Sequence, residues 1–409
     1  MHFTLGYIFH QRLNRKHRNL RWLNFSVFFR QVAAKLATFY LPLFLFQLVE
    51  EFPLDHWLFV NKTKIQQGMI LIAAFYLIER LAMIVSAMPF AKLTRKIGHD
   101  RMLIIGLSIF MLDLVGLLFL KKNTQLFVLV AILNGLKVTS YWHSYRTLLE
   151  RNSYKKDVGK NTSIKRILDN IVGVVTPVLG GMVIAKCGYD YLFYAALIAI
   201  LISIIGTFNL TIKEELDEVG WGEYLSWVKE KSFLKLMFSQ SGMIFNSMVL
   251  MLWPLYVFLL IGDVEKVGIL YSLSVFLAIV INYFVGSNLD KKRKKNKIPY
   301  LISGGVLSIL TFLKVGVVQL WNVVAIDSLD RLVGNFHWLV FDAAIMKRGK
   351  GSQEFSYFVY RQINHSWAAL IFWLLFLVFF FLFPIGWTGV FLLGSVGVLM
   401  SLLVNESKE

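Results

Sequence analysis

Residues 326–342 read IDSLDRLVGNFHWLVFD, so three aspartates, an arginine and a histidine sit in a stretch whose other residues suit the middle of a bilayer. Carboxylates and imidazoles can exchange protons or hold a charged solute. Facing lipid at mid-bilayer, a charge costs at least about 2.5–3.5 kcal/mol. On a helix turning about 100° per residue, Asp327, Asp330, Arg331, Gly334, Trp338 and Phe341 share one face, with His337 and Asp342 on its flanks. Leu329, Leu332, Val333, Phe336, Leu339 and Val340 take the other side. The spacing predicts an ionisable arc turned toward protein or water. Asp327 and Arg331, four apart, suit a local structural ion pair. Asp330 has no obvious local counter-ion, which makes Asp330 and His337 candidates for substrate or proton work.

The same periodicity marks other segments. Gln31, Lys35, Thr38 and Pro42 share a face, with Arg30 off it. Asn134, Lys137, Tyr141, Ser144 and Tyr145 share another, as do Tyr357, Arg361, Asn364 and His365. Gln31, Lys35, Asn134, Lys137, Tyr141, Tyr145, Asp330, His337, Trp338 and Phe341 are thus the candidate lining of a substrate cavity, with the aromatics able to stack on a solute or on each other. Glu79, Asp113, Asp330, His337 and His365 are the candidates for ion or proton coupling. Arg166 and Asp169, with Gly173 and Pro177 on the same face, suit a second structural charge pair. Glu79 and Arg80 are adjacent and are expected to point different ways, so at least one needs another partner. Asp113 stands as a lone acid within its span.

These residues must be held by membrane elements. The 409 residues are 57% hydrophobic and 15% aromatic, more apolar surface than a soluble domain can bury. Twelve apolar stretches are predicted as spans: about 24–49, 65–89, 101–120, 124–146, 163–185 and 191–211, then 233–260, 266–286, 299–319, 321–345, 355–382 and 387–404. The net charge of +18 lies in short loops such as AKLTRKIGHDR, ERNSYKKDVGK and DKKRKKNK, which alternate with EEFPLD and GDVEK. That is the positive-inside pattern rather than a nucleic-acid footprint, and it predicts both termini in the cytoplasm. The basic start is read as leading into a retained first span, not a cleaved signal. Cys187 is the single cysteine, which excludes an internal disulfide framework. No phosphate-binding glycine loop, metal-ligand spacing or nucleophile–base motif is present, so neither enzymatic chemistry, a metal nor a cofactor is expected.

The two halves echo each other. LPLFLFQL from Leu41 pairs with WPLYVFLL from Trp253; Tyr141, Trp142 and Tyr145 fall against His337, Trp338 and Phe341 in one register. The expectation is an all-α polytopic protein of two six-helix pseudo-repeats: a bundle over 1–211, an amphipathic linker over 212–232 and a bundle over 233–409. Two loops carry a related pattern. Leu93, Lys96 and Gly98 stand in the first; Gly286, Leu289, Asp290 and Lys291 stand in the second. These resemble the paired loop motif of the major facilitator superfamily, with Ala91 and Arg95 departing from its glycine and aspartate. GVVTPVLGG, with Gly173, Pro177, Gly180 and Gly181, is similar to the antiporter signature of that superfamily, with Thr176 replacing a glycine.

The resemblance implies a twelve-helix fold that rocks two halves about a central site, with the paired loops as gates and the fifth-span glycines as a helix-packing motif. The lack of a nucleotide site calls for a gradient as the driving force. A cavity bearing Lys, Asp and aromatics suits a small organic anion, zwitterion or amphiphile, and Asp330, His337 and Glu79 suggest H+ as the coupling ion. An exporter of drugs or amphiphiles, a lysolipid flippase, and a non-transporting receptor or scaffold are the alternatives. The expected partners are the solute, the proton and the lipid bilayer, with no nucleic acid. The expected setting is a monomer in the plasma membrane of a prokaryote.

Overall fold

The computed structural model describes residues 2–52, 62–152, 158–210, 218–289, 297–348, 354–382 and 385–404, and the side chains of these except 2–17, 150–152, 158–169, 281–289, 297, 343, 346–348 and 354. Thirteen α-helices and no strand are found among the described residues. They are α1 (His2–Gln47), α2 (Lys64–Ile97), α3 (His99–Leu120), α4 (Phe127–Asn152), α5 (Val158–Cys187), α6 (Tyr189–Phe208), α7 (Trp221–Lys229), α8 (Lys231–Ile261), α9 (Val264–Leu289), α10 (Lys297–Leu313), α11 (Leu320–Arg348), α12 (Glu354–Phe381) and α13 (Gly386–Ser401). Among the described residues, α1 to α6, α8, α10 and α12 contain nine stretches long and apolar enough to cross a membrane. Backbone polar groups in hydrocarbon must be satisfied within the segment, and a helix does this alone.

Helix ends follow local chemistry. Thr63 caps α2: its hydroxyl accepts from the Gln66 amide, and the Gln66 side chain accepts from the Thr63 amide. Asp263 opens α9 by accepting from the Lys266 amide at 3.1 Å. That bond, with the nearby Lys266 ammonium, holds the Asp263 carboxyl below the usual range. A single glycine joins α2 to α3: Gly98, at φ 92°, occupies backbone space that other residues avoid. The expected loop from Ala91 is therefore mostly helix. α2 runs on to Ile97, and Thr94 within it bonds His143 of α4 at 2.9 Å. Leu93 is half-buried and Lys96 exposed. Gly286 and Leu289 close α9 without described side chains, and Asp290 and Lys291 lie outside the described residues.

Helix neighbours recur across the chain. α1 packs on α6 and α5 as α8 packs on α13 and α12; α3 packs on α4 and α6 as α10 packs on α11 and α13. The two sets meet through α5 against α9 and α2 against α12. Small residues make the first contact close. A Cβ on Gly268 would lie 2.3 Å from the Pro177 carbonyl, and one on Gly181 would lie 3.1 Å from that of Val264. Tyr40 of α1 seals this end by donating to the Pro177 carbonyl and packing against Gly180. Tyr76 of α2 stacks on Trp373 of α12 at 4.7 Å. At the opposite end α7 is strapped to α12: the Tyr224 hydroxyl bonds Asn364 at 2.8 Å, and Ser356 donates to the Glu218 carbonyl at 2.9 Å.

Candidate functional site

Charge inside the bundle is mostly paired, and the pairs join helices. Lys137 of α4 donates to Asp113 of α3 at 2.6 Å, with both side chains almost fully buried, and Asn134 approaches the same carboxylate at 3.4 Å. The lysine that had suggested a free cavity cation and the acid that had stood alone are therefore one pair. Lys314, at the end of α10, lies 3.1 Å from Asp330 of α11, and Thr311 is 3.5 Å from that acid. Asp330 thus has no counter-ion on its own helix, and its partner comes from beyond it. In the register that sets Tyr141 against His337, Asn134 falls against Asp330. The α3–α4 link thus recurs at α10–α11 with acid and base exchanged between helices.

Three further pairs are local or weak. Arg331 donates to Asp327 at 2.8 Å and lies over the Tyr271 ring at 4.0 Å. Glu79 and Arg80, expected to point apart, lie 3.5 Å from each other. A flexible arginine can reach back along the helix to an adjacent acid. Glu79 Oε2 and Arg80 Nε still have no hydrogen-bond partner. Arg361 is 3.8 Å from Asp342, which is half exposed, and its Nε lies 3.4 Å from His365. The side chains of Arg166 and Asp169 lie outside those described.

His337 is placed away from the polar arc. It sits between α10, α11 and α13, bonded to Ser303 at 3.1 Å and Ser401 at 2.8 Å and stacked on Tyr300 at 4.6 Å. Both ring nitrogens are occupied, which suits a packing role between these helices. His337→Ala should lower stability by about 2–4 kcal/mol, from lost packing and two lost hydrogen bonds. A thermal melt together with a ligand titration checks this: the melting point should drop while affinity stays within about twofold. Phe341 is fully buried beside Trp338, in the cluster that includes Ile345 and Tyr357.

Of the unpaired cations, Lys35 stands on a face that helical periodicity marks as polar, whereas Arg30 falls off that face and Arg146 was missed. Arg30 of α1 is 4% exposed and lies over Tyr141 at 4.0 Å and Trp142 at 4.7 Å. Arg146 of α4 lies over the same Trp142 ring at 5.5 Å. Lys35 is half-buried one turn from Gln31, which is also half-buried. Among the described residues none of Arg30, Lys35 and Arg146 has a carboxylate partner within 4 Å. Tyr141 and Tyr145 stack at 5.8 Å and form the floor beneath Arg30. The available signal for Arg30 was that it lies in an apolar helix with no acid at helical spacing.

A small hollow lies between α8, α9 and α11 and is lined by Trp253, Tyr271 and Asp327. Phe39 of α1 meets Tyr271 at 4.5 Å, so this hollow borders the contact between the two helix sets. The arrangement as a whole offers excess positive charge and aromatic surface inside the bundle, which suits an anionic solute.

The Major Facilitator Superfamily model matches residues 23–346. A POT family transporter, solved in complex with 5-aminolevulinic acid, superposes with a TM-score of 0.67 at 12% identity and 95% coverage of both chains. A D-xylose–proton symporter superposes with a TM-score of 0.61 at 13% identity, over 93% of this chain and 97% of that one. At these identities the likeness is one of fold. No curated protein sequence matches the chain.

Proposed function

Because this chain belongs to the major facilitator superfamily, we propose that it is a secondary active transporter carrying a small organic anion by alternating access, with protons as the coupling ion. The observation that carries this reading is the set of three cations, Arg30, Lys35 and Arg146, left without carboxylate partners among the described residues. Unpaired charge in a low-dielectric interior is costly, and an incoming anion removes that cost. Glu79 is the acid that supports proton coupling, since one of its buried oxygens has no hydrogen-bond partner. Asp113, Asp327 and Asp330 are each held by a base.

In this proposal the moving units are residues 1–211 and 233–409, each crossing the membrane six times, with 212–232 between them. The protein works as a monomer with its termini and α7 in the cytoplasm of a prokaryotic cell. The recurrence of helix neighbours supports the division, and the basic loops support the orientation. Gly98 and the charges around it act at the cytoplasmic closure. The exporter reading drew on the Gly/Pro run of α5. Close packing of Gly180 and Gly181 on Tyr40 and α9 gives that run a structural reason. A scaffold gains little from uncompensated cations inside the bundle, and a receptor would bind the anion without moving it.

The test is solute uptake into proteoliposomes with an imposed pH gradient, across anionic, neutral and cationic metabolites. Uptake of an anion should rise about tenfold or more with the gradient and fall when it is collapsed. Uptake confined to neutral or cationic solutes would overturn the anion assignment. Anion uptake indifferent to the gradient would overturn the coupling.

A further inference from the structure

Arg30 and Arg146 come from different helices, yet both guanidinium groups lie against one indole, that of Trp142. Arg146 has the Arg361 cation and the Asp342 carboxylate as its charged neighbours, and no carboxylate among the described residues lies within ion-pair distance of Arg30 or Arg146. The hydroxyl of Tyr141, under Arg30, is buried and has no hydrogen-bond partner, and neither has Nε of Arg80. Arg361 adds a further cation from α12, matched only by the half-exposed Asp342 at 3.8 Å. One negative charge would leave this group of bases uncompensated.

We propose, resting on the anion-transport reading above, that the transported solute is a dianion, an oxyanion whose two negative charges are shared between Arg30 and Arg146 beside Trp142. A phosphate group and a short dicarboxylate share this chemistry. Both present several acceptor oxygens to planar guanidinium forks, and both leave an acceptor for the Tyr141 hydroxyl.

Equilibrium binding to the purified full-length protein at pH 8, where a phosphate monoester carries nearly two charges, provides the test. Two matched pairs serve as probes: succinate against butyrate, and methyl phosphate against dimethyl phosphate. The wild type should bind the dianion of at least one pair about tenfold or more tightly than its monoanion. The pair that shows the preference identifies dicarboxylate or phosphate as the solute class. In Arg30→Gln and in Arg146→Gln, that ratio should fall to within about threefold of unity. A wild-type ratio near unity in both pairs overturns the dianion proposal and leaves anion transport standing. Binding of no anion at all overturns both. The wild-type ratio decides the proposal even if a variant fails to fold.

Discussion

Lys137→Met should destabilise the protein by about 3–5 kcal/mol, the largest stability loss expected from a single change in the bundle. Asp113 is fully buried and its principal partner is the Lys137 ammonium at 2.6 Å. Asn134 approaches the same carboxylate at 3.4 Å and is too weak a donor to replace a charge. Without the lysine the carboxylate must stay charged in apolar surroundings or take up a proton, and both cost free energy. Adding Asp113→Asn should therefore recover most of the loss, because the damage comes from the orphaned charge more than from the missing attraction. Exchanging the charges, Asp113→Lys with Lys137→Asp, should be tolerated better than either single change. The bundle already holds the opposite polarity at Lys314 and Asp330. Thermal melts of the two singles and the two doubles check this; doubles no more stable than Lys137→Met would show that the pair is not what holds α3 to α4.

Arg30→Gln should weaken binding of the transported dianion on the order of a hundredfold, whereas Lys35→Gln should weaken it by about tenfold or less. The contrast follows from burial. Arg30 is 4% exposed and packed on Tyr141 and Trp142, so its charge is poorly screened and its geometry is fixed. Lys35 is half-buried, with no ion pair to orient it among the described residues. Titration of both purified variants with the preferred anion measures the two effects, and equal losses would contradict the placement of Arg30 as the principal anion contact. Trp142→Phe should give an intermediate loss, since a smaller ring keeps part of the cation–π attraction.

Much of the fold was legible because its causes are local. Apolar runs of span length, and short basic loops between them, led to an all-helical membrane protein without any knowledge of which helices touch. The contact between Asp327 and Arg331 was equally legible, since four residues on one helix place side chains together. Glu79 and Arg80 escaped the same logic because the wheel treats a side chain as a direction. An arginine has the length to bend back to its neighbour.

The site was less legible. Lys314 closes its helix in a stretch that reads as any span end, and only the packing of α10 on α11 brings it to Asp330. His337 flanks the arc of the aspartates in sequence, yet the packing of α10 against α11 and α13 places it against Ser303, Ser401 and Tyr300. Arg30 fell off the polar face of its own helix, and the face it occupies is supplied by Tyr141 and Trp142 of α4. By itself the sequence determined that buried charges require partners, because the cost of an isolated charge in hydrocarbon is the same in any fold. Only the tertiary structure decided which charges are matched and which are left over, because that depends on side chains from separate helices meeting at a few ångströms.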